Sequence, residues 1–119
     1  MIPTNKAIDF LGVINMKLTK EIIDLIEAQT NCSVREYNDE FCIFVDNACD
    51  EDFEIEISKS ENEIEEIVRF CDCFDVEEHF DLWRGANRGE PQNARVLLRN
   101  CEEIGENLTQ LGDLLRGLN

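Results

Sequence analysis

Two thiols one residue apart, Cys71 and Cys73, followed by the chain's single histidine, His79, are the soft donors that a zinc site would use. Paired Cys-x2-Cys knuckles are missing, and Cys42, Cys71 and Cys101 each fall on an apolar stripe. Buried free thiols are therefore favoured over a metal centre, and no metal or other cofactor is expected. A disulfide framework from the six cysteines would need an exported chain. The N-terminus MIPTNKAIDF has no basic region followed by an apolar stretch and a small-residue cleavage site.

A second set of donors mimics a calcium loop. Asp50, Asp52, Glu54, Glu56, Ser58 and Glu61 occupy its liganding positions, but Ile55 stands where the sharp turn needs glycine. The Phe-Glu-Ile-Glu-Ile alternation suits a strand better, and a strand is expected to send those side chains to two faces rather than around one ion. Catalytic signatures are equally thin. No thiol beside His79 carries a hydrolase motif, and Glu77 and Glu78 point about 100° apart on a helix. There is no phosphate-cradling glycine loop, nucleophile elbow or two-histidine motif. The expectation is a protein that is not an enzyme.

What the chain does concentrate is charge. Of 27 acidic residues, fifteen lie between Asp46 and Asp81, where Lys59 and Arg69 are the only bases, so this segment carries −13 of a net −16. Such segregation destabilises a compact chain by self-repulsion and steers cationic partners. A disordered acidic tail would lack the apolar residues interleaved here, among them Phe53, Ile55, Ile57, Ile64, Ile67 and Val68. The carboxylates are thus expected on a folded surface.

The elements that must position them are legible in outline. With 119 residues, about 30% of them Leu, Ile, Val or Phe, the chain has room for one core, and residues 1–119 are expected to form a single domain. A weakly helical stretch is expected from about Asn5 to Met16. Thr19 caps a helix reaching about Gln29, with Ile22, Ile23, Leu25 and Ile26 on its apolar face. Strands are expected at 32–37 and 41–46, joined by a polar turn at Asn38-Asp39-Glu40, the second strand being central because both of its faces carry apolar side chains. Asp52 to Ser58 has the cleanest period of two: Phe53, Ile55 and Ile57 face a core, Asp52, Glu54 and Glu56 the other side. Ser60 with Glu63 forms a capping-box pattern opening a helix through Ile64, Ile67, Val68 and Cys71. A short helix from Asp75 to Trp83 is expected to break at Gly85–Gly89 and restart near Pro91. Ala94, Leu97, Cys101, Ile104, Leu108, Leu111, Leu115 and Leu118 then form a 3-4 seam. Its flanks include Gly105 and Gly112 instead of zipper charges, so a long C-terminal helix packed along its own domain is favoured over packing along a sister subunit. The fold class is α+β: a small three-stranded antiparallel sheet covered by helices.

Arg84, Arg88, Arg95 and Arg99 form the one basic concentration. On so acidic a chain they are a poor nucleic-acid site, and pairing with carboxylates within the fold or across a dimer suits them better. No apolar run approaches the roughly 18 residues of a membrane span, and the expected location is the cytoplasm, or the host cytoplasm for a phage-encoded protein.

The charge pattern resembles that of small, very acidic inhibitors encoded by phages and mobile elements, including anti-restriction and anti-CRISPR proteins that mimic nucleic acid. The segment FDVEEHFDLWRGANRGEPQNARVLLRNCEEIGENLTQLGDLL, Phe74 to Leu115, is also similar to one found in small proteins of phages and integrated elements of Firmicutes, with Glu78-His79, Leu82-Trp83, the glycine-rich break and Pro91 as the matching features. The resemblance implies no catalytic residues and names no target, and the arginine cluster departs from it. The expected partner surface comprises Asp50, Glu51, Asp52, Glu54, Glu56, Glu61, Glu65, Glu66, Glu77, Glu78 and Asp81. It would meet a basic nucleic-acid-binding protein such as a nuclease effector, without direct contact to nucleic acid or membrane, as monomer or homodimer. Trp83, Arg84, Arg88, Arg95 and Arg99 form a second candidate interface. The alternative is an antitoxin or adaptor that binds some other basic partner.

Overall fold

The computed structural model of the chain describes residues 16–46, 53–86 and 94–118. In chain order these form α1 (Lys20–Gln29), β1 (Cys32–Glu36), β2 (Glu40–Val45), β3 (Glu54–Ser58), α2 (Glu63–Cys73), α3 (Val76–Ala86) and α4 (Ala94–Arg116). The strands make one antiparallel sheet in the order β1-β2-β3, so the α+β class and the central place of β2 are as expected.

Local signals set most boundaries. The Thr19 hydroxyl accepts from the Ile22 N–H at 3.3 Å and opens α1. Thr30 closes it by donating its N–H and its hydroxyl to the Ile26 carbonyl, then accepts from the Cys32 N–H, which hands the chain into β1. The Tyr37 N–H bonds the Glu40 carbonyl at 2.8 Å, leaving Asn38 and Asp39 as the hairpin loop. Asp75 caps α3 through its carboxylate, 3.0 Å from the Glu78 N–H.

Helices α1, α2 and α4 cover one face of the sheet, and α3 packs on α4. Cys32, Phe41, Ile43, Val45, Ile55 and Ile57 turn toward that side and join Ile26, Ile64, Ile67, Val68 and the α4 seam in one core. Within the seam Leu97, Cys101, Ile104, Leu108, Leu111 and Leu115 are buried and Leu118 is partly buried, with α1, α2, α3 and β2 as the packing partners. The seam is therefore used inside the domain. Gly105 and Gly112 permit that approach: a methyl at Gly105 would stand 2.9 Å from Val76 Cγ2, and one at Gly112 3.2 Å from Cys71 Cβ.

Three expectations need correction. Ser60 is not the cap of α2; Asn62 is, because the Ser60 hydroxyl accepts from the Asn62 N–H and the helix starts at Glu63. Gly85 and Ala86 remain helical, since packing of α3 on α4 outweighs the roughly 1 kcal/mol propensity cost of a glycine. Met16 is not helical; the rest of the expected N-terminal helix, residues 5–15, and the turn at 87–93 lie outside the described residues.

Candidate acidic interaction surface

The sheet face turned away from the helices is where alternation places Glu54 and Glu56, both exposed, while Ile55 and Ile57 on the same strand are buried. Ser33 and Arg35 of β1 and Cys42 and Phe44 of β2 share that outer face by register. The Arg35 guanidinium lies over the Phe44 ring, 5.6 Å from its centroid. Glu54 and Glu56 share this face with Ser58, as the period of two predicts and contrary to the expectation that a strand would divide the calcium-loop donors between two faces. Alternate residues of an extended chain stand about 6.7 Å apart in a line, and a line cannot encircle one ion.

The carboxylates of α2 continue this surface unevenly. Glu66 is half-buried, accepts from the Ser60 hydroxyl at 3.1 Å, and lines a groove of about 530 Å³ with Glu54, Glu56, Arg69, Phe70 and Cys73. Glu65 pairs with Arg69 at 3.6 Å, and Glu61 with Lys17 at 3.7 Å. Glu77, Glu78 and Asp81 are exposed on α3. This helix is held beside the start of β3 by His79, whose ring is 5.3 Å from both Phe53 and Phe74. Asp50, Glu51 and Asp52 lie outside the described residues. Glu54, Glu56 and Glu66 are thus brought together on one groove, whereas the α3 acids occupy a separate helix.

Glu63, the second half of the capping box, has a different use. It is 2% exposed, and its two oxygens accept from the Leu18 N–H at 2.6 Å and the Ser60 N–H at 2.9 Å. That carboxylate ties the segment before α1 and the end of β3 to the first turn of α2, where the helix dipole favours negative charge. Other acids are also spent on the fold: Glu36 pairs with Lys59 at 2.7 Å, and Asp72 and Asp113 both meet Arg116.

The arginines divide. Arg95 and Arg99 are exposed on the first turns of α4, beside Glu102, Glu103 and Glu106 of their own helix in a concavity of about 450 Å³. Trp83 and Arg84 belong to the backbone of α3, and Arg88 lies outside the described residues.

Cys71, Cys73 and His79 have unlike surroundings. Cys71 is half-buried beside Gly112, with its thiol pushed up to about 12 mainly by burial. Cys73 is exposed, and burial against the aromatic rings lowers His79. Among the described residues, the one set of three possible ligand residues with donor atoms within 4.8 Å of one another is Glu40, Cys42 and Glu56. Sequence reasoning missed it because the set depends on register: Cys42 lies opposite Glu56 across β2 and β3. A thiol with two carboxylates could hold a borderline-soft ion such as zinc. Burial, followed by the neighbouring Glu54, Glu40 and Glu56 carboxylates, pushes the Cys42 thiol up to about 11, so an ion would first have to displace its proton.

No helix among the described residues is long and apolar enough to cross a membrane. Compared with protein-family models, with curated proteins and with solved structures, the chain matches none.

Proposed function

We propose that the chain is a non-catalytic inhibitor of a nucleic-acid-binding defence protein, a restriction or CRISPR effector, which it engages by offering carboxylates where that protein expects phosphates. The supporting observation is that Glu54 and Glu56 stand exposed on the helix-free sheet face, and that carboxylates continue onto α2 beside them. Duplex DNA carries one charge per about 1.7 Å of axis, and proteins that bind it present grooves of Lys and Arg. A folded acidic surface entering such a groove competes with nucleic acid, associates fast and weakens with salt.

The test is displacement of labelled duplex from a panel of restriction and CRISPR nucleases, read by fluorescence anisotropy. The chain should release the duplex from its target, and less so as salt rises from 50 to 200 mM. Replacing Glu54, Glu56, Glu65 and Glu66 by Lys should abolish the release while the circular dichroism spectrum stays unchanged. Release that ignores both salt and the fourfold substitution would refute the reading. The second reading, an antitoxin or adaptor for some other basic protein, draws on exposed apolar side chains that phosphate mimicry does not use: Leu82 on α3 is 68% exposed and Val96 on α4 49%.

A further inference from the structure

The two edges of the sheet are finished differently. On β1 two of the three outward main-chain donors are taken up: the Val34 N–H bonds Glu27 of α1 at 3.0 Å, and the Cys32 N–H bonds the Thr30 hydroxyl at 3.2 Å. This is how an edge is blunted against unwanted pairing. On β3 the parity of the ladder is fixed at both ends, by the Val45 N–H to the Phe53 carbonyl at 2.9 Å and by the Lys59 N–H to the Asp39 carbonyl at 3.0 Å. Odd-numbered residues from Phe53 to Lys59 therefore face β2 with their main chain, and the N–H and C=O groups of Glu54, Glu56 and Ser58 point outward. Among the described residues nothing pairs with them.

We propose that this open edge of β3 is a docking edge for an extended segment of a protein partner, which joins the sheet as a fourth strand and alternates basic with apolar side chains. Main-chain pairing supplies the attachment, and the side chains on either side of β3 select the sequence. Partner residues opposite Glu54 and Glu56 share their face, and across a strand pair opposite charges attract, so these positions take Lys or Arg. Partner residues opposite Ile55 and Ile57 turn toward the helix layer, into the groove of about 530 Å³ beside α2. There Phe70, 37% exposed, offers apolar surface, and Arg69 is already engaged by Glu65. A second copy of β3 is a poorer occupant, because antiparallel self-pairing sets carboxylates against carboxylates. The charge of the partner rests on the function proposed above; the main-chain pairing does not.

The full-length, isotope-labelled chain is titrated with an acetylated and amidated peptide, KVKVKVK, and with the same peptide N-methylated on its lysines. In an antiparallel fourth strand with lysines opposite Glu54 and Glu56, the lysine N–H groups face β3, so methylation removes that pairing and keeps the charge. In the free chain the amides of Glu54, Glu56 and Ser58 should exchange rapidly. The parent peptide should slow them by about tenfold or more and the methylated one should not. Equal binding of the two peptides would overturn the proposal by showing charge alone at work, and would leave the acidic-surface reading standing. Protection of those amides in the free chain would also overturn it, as would a concentration-dependent dimer that protects them. Peptide protection without displacement of nucleic acid from any nuclease would remove the proposed function and keep the docking edge.

Discussion

Replacing the buried Glu63 carboxylate by its neutral isostere, Glu63→Gln, should destabilise the domain by about 2 kcal/mol, although it removes one negative charge from a chain of net −16. The two oxygens of Glu63 each accept a main-chain N–H, from Leu18 and from Ser60. A glutamine has one acceptor oxygen; its amino group must face the other N–H, donor against donor. One charge-assisted hydrogen bond, worth about 1.5–3 kcal/mol, is then lost and a buried N–H is left unsatisfied. Glu63→Ala removes both bonds and opens a void, and about 4 kcal/mol is expected. The opposing effect is relief of self-repulsion. Glu77→Gln isolates it, because Glu77 is exposed on α3, and that change should lie within about 0.5 kcal/mol of the parent or slightly above it. Urea unfolding followed by circular dichroism, with a common slope for all four proteins, gives the ranking. If Glu63→Gln unfolds at the same urea concentration as Glu77→Gln, the carboxylate is not a tie between segments and the reasoning fails.

Thiol labelling of the native chain at pH 8, mapped by mass spectrometry, should mark Cys73 before the other cysteines among the described residues. Cys32, Cys42, Cys71 and Cys101 should follow only in denaturant, because burial raises the first three thiols and Cys101 is fully buried. Gly112→Leu should cost about 2–3 kcal/mol and lower the melting temperature accordingly, since even a methyl would meet Cys71 Cβ at 3.2 Å; an unchanged melting temperature would mean that α2 and α4 are not in close contact. For His79 the folded value lies below the ordinary one of about 6.5, so above that pH both states are neutral, and below it the unfolded chain takes up the proton first. Its contribution should therefore be lost as pH falls from about 6.5, and the parent should lose more stability between pH 7 and 5 than His79→Phe does. Parallel pH profiles would contradict this.

Much of the architecture was legible because its causes are local. Thr19 and the apolar face of α1, the hairpin at Asn38 and Asp39, and the alternation from Phe53 to Ser58 each need only a few neighbouring residues to be recognised. The 3-4 seam of α4 likewise announced a long buried face. What escaped notice depends on partners distant in sequence. Ser60 and Glu63 carried the right letters for a capping box, but half of the carboxylate's work is done on Leu18, 45 residues away. Asn107, on the flank of the seam, gave no hint that it bridges Asn31 and the Asp46 carbonyl, at 3.1 and 2.6 Å. The division of exposed acids from buried isoleucines on β3 followed from period two. That β1 is blunted by Glu27 while β3 is left open did not, because edge chemistry depends on which helix lies alongside.

The long helix α4 carries a consequence for the chain's synthesis. It is the last described element to leave the ribosome, yet Ile104, Leu108, Leu111 and Leu115 complete the core that Ile26, Ile43, Ile64 and Ile67 begin. Until it arrives, the nascent hairpin and α2 hold an apolar face with no cover, in the condition under which strands aggregate. The carboxylates of β3 and α2 are already in place at that stage. Acting as gatekeepers, they keep nascent chains apart through their mutual repulsion. The self-repulsion that weakens the finished domain thus protects the unfinished one.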